Sequence, residues 1–113
     1  MRDVRPRTID FYQIPNGHEP FTRWFRSIRD TSIRRRIQAR LTSLRAGNLG
    51  DHRSVGGGVW ELRLDFGPGY RIYYSEVDNT VVLFLCGGDK SSQRRDIERA
   101  KNYWKEYKER HEQ

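Results

Sequence analysis

The chain has 113 residues, 35% of them hydrophobic and 33% charged, and its 22 Lys and Arg against 15 Asp and Glu give a net charge of +7. That length makes one domain, 1–113, with a modest core, and three Trp, six Tyr and five Phe must supply much of its buried area. No apolar run approaches the roughly 20 residues of a membrane span, and a single cysteine, Cys86, excludes an internal disulfide framework or a multi-cysteine metal site.

The opening "MRDVRPRTID" lacks the apolar core of a secretory signal, so a cytoplasmic protein is expected. "TIDFYQI", Thr8 to Ile14, is rich in β-branched and aromatic residues and stops at Pro15-Asn16-Gly17, which predicts a strand. A helix follows with Phe21, Trp24, Phe25 and Ile28 on one stripe. A second carries Ile33, Ile37, Leu41 and Leu44 at helical spacing and ends at Gly47. The short break at Asp30-Thr31-Ser32 predicts a helical hairpin whose second helix is capped by a serine or threonine. From Pro20 to Ala46 stand eight arginines against the single acid Asp30, so this hairpin carries the whole excess charge. A basic surface of that kind suits a polyanionic partner, either nucleic acid or an acidic protein. Within it Arg34, Arg35 and Arg36 are candidate RNA contacts.

"GNLGDHRSVGGG" reads as a glycine-rich loop. Its three glycines are not a nucleotide-binding loop, because no Lys-Ser/Thr end and no helix follow them. "VWELRLDF" and "YRIYYSEV" alternate around a "GPG" turn. Pairing Phe66 with Tyr70 sets Leu64 opposite Ile72, Leu62 opposite Tyr74, Asp65 opposite Arg71 and Arg63 opposite Tyr73, with the apolar sides coincident. "TVVLFLC" is a near-continuous apolar strand that reads as buried on both faces. Ser92 to Arg110 predicts a final helix packed through Ile97, Ala100, Trp104 and Tyr107. The order β-α-α-β-β-β-α is an α+β fold, with helices on one face of a small antiparallel sheet.

On the other face this arrangement would leave Glu61, Arg63, Asp65, Arg71 and Tyr73, with Lys90 at the rim just after Gly87-Gly88. Guanidinium groups pair with phosphate oxygens in a fork and an aromatic ring can stack a splayed base, a combination suited to single-stranded RNA. An Asp65–Arg71 ion pair would be the purely structural use of those residues, which leaves Arg63 as the cation without an acidic partner. His18, His52 and His111 fall outside these motifs, and no spacing suggests a metal site or cofactor.

"GVWELRLDFGPGYRIYY" followed by "VVLFLCGGDKSSQRRDIERAKNYW" resembles the addiction-module killer proteins, a HigB-like branch of the RelE/ParE superfamily of bacterial toxin–antitoxin toxins. The resemblance implies a RelE-like fold, a cognate antitoxin of the helix-turn-helix kind as partner, and one of two targets. RelE-like and HigB-like members cut mRNA at the ribosome, whereas ParE-like members inhibit DNA gyrase without cutting. Where the family cleaves RNA, basic residues hold the scissile phosphate while the 2′-hydroxyl attacks, and Arg63, Arg71 and Lys90 match those residues by motif position. Some RNA-cutting relatives carry lysine where this chain has Glu61, which would serve either as general base or as partner to an arginine. Tyr73 and Asp89 are the other candidates for acid–base work. The expected activity is therefore metal-independent mRNA endonuclease action and inhibition of translation. Gyrase inhibition and a degenerate antitoxin-binding module are the alternatives.

Overall fold

A computed structural model describes residues 6–112. Residues 1–5 and 113 of the expected domain lie outside the described residues. The elements are β1 (Thr8–Phe11), α1 (Pro20–Ser27), α2 (Thr31–Arg45), β2 (His52–Gly56), β3 (Val59–Arg63), β4 (Arg71–Val77), β5 (Val81–Gly88), a 3-10 turn (Lys90–Ser92) and α3 (Gln93–His111). They form an α+β fold around one five-stranded sheet of order β1-β5-β4-β3-β2.

Local chemistry sets the helix ends. Pro20 opens α1, where its missing N–H costs nothing. Asp30 caps α2 by accepting from the Ser32 N–H, so the cap is the acid and not a serine or threonine. Gly47, at φ +92°, takes the left-handed conformation that ends α2.

The sheet departs from expectation in three ways. It is mixed, because β1 pairs parallel with β5, Thr8 beside Val81 through Phe11 beside Phe84. The segment read as a loop holds β2, an edge strand antiparallel to β3 with Arg53 opposite Glu61. Its polar alternation hides it, since an edge strand has little to bury. The β3–β4 register is shifted by two residues: Arg63 faces Arg71, Leu62 faces Ile72, Glu61 faces Tyr73 and Trp60 faces Tyr74. The cause is the turn. β3 stops at Arg63, and the chain from Leu64 to Tyr70 loops out with Gly67 and Gly69 at positive φ, closed by the Leu64 N–H donating to the Tyr70 carbonyl. An even shift keeps every side chain on its expected face.

Both faces of the sheet are covered. On one side α1 and α2 bury Phe21, Ile37 and Leu44 against Leu62, Ile72, Tyr74, Val82 and Phe84. On the other, α3 lays Ala100, Ile97, Tyr103, Trp104 and Tyr107 over Val59, Tyr73, Leu83, Leu85 and Cys86. The open second face expected from the sequence is not found, because α3 closes most of it. Among the described residues no helix is long and apolar enough to cross a membrane.

Candidate functional site

Gly87 and Gly88 are consecutive in β5 and therefore face opposite layers. A Cβ at Gly87 would collide with the Trp24 ring of α1, and one at Gly88 with the Asp96 carboxylate of α3 and with Ser92 at the end of the 3-10 turn. The pair is thus first a packing device. It lets both helix layers close on the end of β5, at the point where the chain turns into α3.

Three neighbouring segments carry the expected cations to that same end. Arg63 lies directly opposite Arg71, and Arg71 lies opposite Gly88. Lys90 follows two residues later in the 3-10 turn. The β3–β4 loop folds back onto this row: a Cβ on Gly69 would stand 3.2 Å from Arg71 Nη1 and 3.3 Å from Lys90 Cβ, a tight fit at a residue whose φ of +77° already favours glycine. Arg71 Nη1 donates to the Gly69 carbonyl at 2.8 Å, which fixes the guanidinium beside the loop. Arg63 and Lys90 are exposed, and among the described residues no carboxylate lies within 4.0 Å of either. Arg71 is 6% exposed.

The remaining candidates have a different place. Glu61 is fully buried and sits at the centre of a set of donors. Gln93 Nε2 donates to its Oε2 at 2.9 Å and the Tyr73 hydroxyl to the same oxygen at 3.0 Å, while Arg53 Nε donates to Oε1 at 2.8 Å. Arg71 Nε stands 3.6 Å from Oε2, close enough for ion pairing but without a hydrogen bond. Burial alone would raise the Glu61 carboxyl, but the hydrogen bonds from Gln93, Arg53 and Tyr73 outweigh it and hold the group below its ordinary 4.5. Burial, then the adjacent Glu61 charge, push the Tyr73 phenol far above its ordinary 10.0. Glu61 and Tyr73 therefore form an internal clamp between the sheet and the first residue of α3. Neither reaches a ligand on the surface.

Asp65 is exposed in the loop, well removed from the expected pairing with Arg71, because the register shift gives that place to Arg63. Asp89 accepts from Ser91 N and Oγ, the larger reason its carboxyl stays below the ordinary value. Arg36 lies 3.9 Å over the Phe66 ring, tying α2 to the β3–β4 loop. Arg34 is half-buried and Arg35 and Arg36 are exposed on α2. His111 stacks on Tyr107 at the far end of α3. Among the described residues no group of three His, Cys, Asp or Glu side chains could hold a metal ion.

Sequence reasoning misses Arg53 and Gln93, the two further donors that complete the Glu61 clamp. Their signal is weak. Arg53 sits in a polar edge strand, and Gln93 belongs to the Gly87–Gln93 stretch that carries the family resemblance without any role attached to it. The site is thus a row of cations at the sheet end, one of which, Arg71, is backed by a buried acid.

No family model matches the chain. An uncharacterized protein of Haemophilus influenzae strain Rd is 43% identical over 81 residues, a stretch covering 72% of this chain and 82% of that protein. By that similarity, the chain belongs to the same family as this Haemophilus protein.

Proposed function

We propose that the protein is the toxin of a toxin–antitoxin module of the RelE/ParE superfamily, with a RelE-like fold, acting in the cytoplasm as an mRNA endonuclease at the ribosome and neutralised by a helix-turn-helix antitoxin. The observation that carries this reading is the meeting of Arg63, Arg71 and Lys90 at one end of the sheet. Fixed cations beside a scissile phosphate stabilise the negative charge that develops as a 2′-hydroxyl attacks, and one such donor is typically worth about 10²–10³ in rate. In this scheme Arg63 and Lys90 touch the phosphate, and Arg71, held by Gly69 and Glu61, adds its charge from behind them. The arginines of α2 add phosphate contacts to ribosomal RNA.

A second reading on the same fold is favoured by one observation, the enclosure of Glu61 and Tyr73. With Glu61 and Tyr73 withdrawn from the surface, only Asp89 of the acid–base candidates stays accessible, and a row of cations so placed is suited to binding, as in a gyrase inhibitor that cuts nothing. One experiment separates the two: induce the chain alone, map mRNA 5′ ends and measure plasmid supercoiling. New 5′ ends within translated codons support the nuclease. Loss of supercoiling with intact mRNA supports the inhibitor, and growth without either effect removes both.

A further inference from the structure

β1 pairs with β5 only as far as Phe84, so the last residues of β5 extend beyond the edge strand. A cleft of about 500 Å3 opens there, walled by the end of α1 and by one face of α3, with Gly87 and Gly88 as its floor. That volume lies inside the range of about 300–1,000 Å3 typical of small-molecule sites. Trp24 and Tyr70 form an edge-to-face pair in its wall, ring centroids 5.9 Å apart at 71°. Arg29, Arg95 and Arg99 also line it, all exposed. Among the described residues none of these arginines has a carboxylate within 4.0 Å.

Three acids face the same cleft and must be counted. Asp30 is engaged in capping α2, and Asp89 accepts from Ser91. Asp96, 3% exposed, accepts from Ser92 Oγ. Their hydrogen bonds come from neutral donors and leave each acid charged, but among the described residues none of the three lies within 4.0 Å of Arg29, Arg95 or Arg99, so the arginines are offset at a distance and not paired. Arg95 and Arg99 are one helical turn apart on α3 and can reach one anion together. Either ring of the edge-to-face pair offers a planar apolar face beside them.

We propose that this cleft binds one nucleotide unit, its base against Trp24 and Tyr70 and its phosphate on Arg29, Arg95 and Arg99. The unit is either a free nucleoside monophosphate or one residue of a single-stranded RNA. In the second case the inference rests on the RNA-directed function above and adds a base-holding site around the corner from the cationic row.

The test uses the full chain. Calorimetric titration with the four ribonucleoside monophosphates and anisotropy titration with a short labelled single-stranded RNA are compared for the wild type, for Arg95→Glu/Arg99→Glu, and for Lys108→Glu as a charge reversal on the same helix outside the cleft. The double variant is expected to weaken binding about 5- to 100-fold, the span of one stacked base or charge-assisted contact, while Lys108→Glu stays near wild type. Trp24→Leu, checked for folding by thermal melting, should weaken binding of the same probe. Binding of monophosphates identifies a free nucleotide, and binding of RNA alone identifies a chain residue; both support the site. Wild-type affinity in the double variant, or preferential capture of polyglutamate over both nucleotide probes, overturns it. Toxicity and mRNA cleavage together with wild-type RNA affinity in the double variant would remove this inference alone. Cleft binding without toxicity would remove the toxin reading alone.

Discussion

Arg63 and Arg71 stand directly opposite each other across β3 and β4, two like charges in a position where a sheet ordinarily sets an opposite pair. Glu61 compensates Arg71 from beneath, 3.6 Å from its Nε, whereas among the described residues no carboxylate lies within 4.0 Å of Arg63. A like-charge cross-strand pair costs stability, typically about 0.2–1 kcal/mol. Arg63→Glu is therefore expected to raise folding stability by a few tenths of a kcal/mol while abolishing growth inhibition. Urea denaturation and a growth assay on the same variant check both halves. A variant that is less stable or still toxic counts against the role given to the row.

Removing the Glu61 charge should act on the fold first. In Glu61→Gln the Arg71 guanidinium stays buried without its carboxylate, and breaking such a pair typically costs about 3–5 kcal/mol. Tyr73→Phe removes only the hydroxyl that donates to Glu61 and should cost about 1.5–3 kcal/mol. Thermal melts rank the two. Were Glu61 a general base on the surface, Glu61→Gln would leave stability unchanged.

The same carboxylate sets an acid limit. Its folded pKa lies below its ordinary 4.5, so its contribution to stability is complete above that value and is lost as pH falls through the folded pKa. Denaturation midpoints across pH 7 to about 3 should fall for the wild type below the ordinary carboxylate value and fall less steeply for Glu61→Gln. Parallel curves would mean that other acids dominate the acid transition.

Gly88→Ala and Gly87→Ala should each destabilise by about 1–3 kcal/mol through overpacking, since neither residue has a positive φ and the obstacle is a neighbouring side chain. For Gly88 the neighbour is Asp96. A double-mutant cycle with Asp96→Ala should recover part of the loss, and strict additivity would show that the contact is not the cause.

Reversing charge at Arg35 and Arg36 should weaken association with ribosomes and flatten its salt dependence, by a slope of roughly 0.7–0.9 for each phosphate left without its arginine. Arg36 has a second effect, because its guanidinium also holds the Phe66 ring. Faster proteolysis of the β3–β4 loop is expected in Arg36→Glu and not in Arg35→Glu.

What the sequence shows of this fold follows the reach of its signals. Periodicity carries the helices, and alternation carries the facing sides of β3 and β4, because both are local. The register depends on the true length of a glycine loop, and Gly67-Pro68-Gly69 resembles a tighter turn than the one Leu64 and Tyr70 close. The parallel pairing of β1 joins residues far apart in sequence and leaves no local trace. The covering of the second face does have a signal. "TVVLFLC" reads as buried on both sides, which requires a helix on each, and the stripe of Ile97, Ala100, Trp104 and Tyr107 is there to supply the second. That one inference places Glu61 and Tyr73 inside the protein, and leaves Arg63 and Lys90 as the surface cations of the site.

The placement of β1 at the far side of β5 has a consequence for how the molecule is made. Thr8 finds its neighbour in Val81, roughly seventy residues further on, so β1 is made well before the strand that seats it. Until β5 emerges, the row of Arg63 and Arg71 lacks its Gly88 neighbour, and the cleft beside it has neither floor nor second wall. The pairing of Arg71 with Gly88 and the closing of the cleft therefore both wait on β5 and α3.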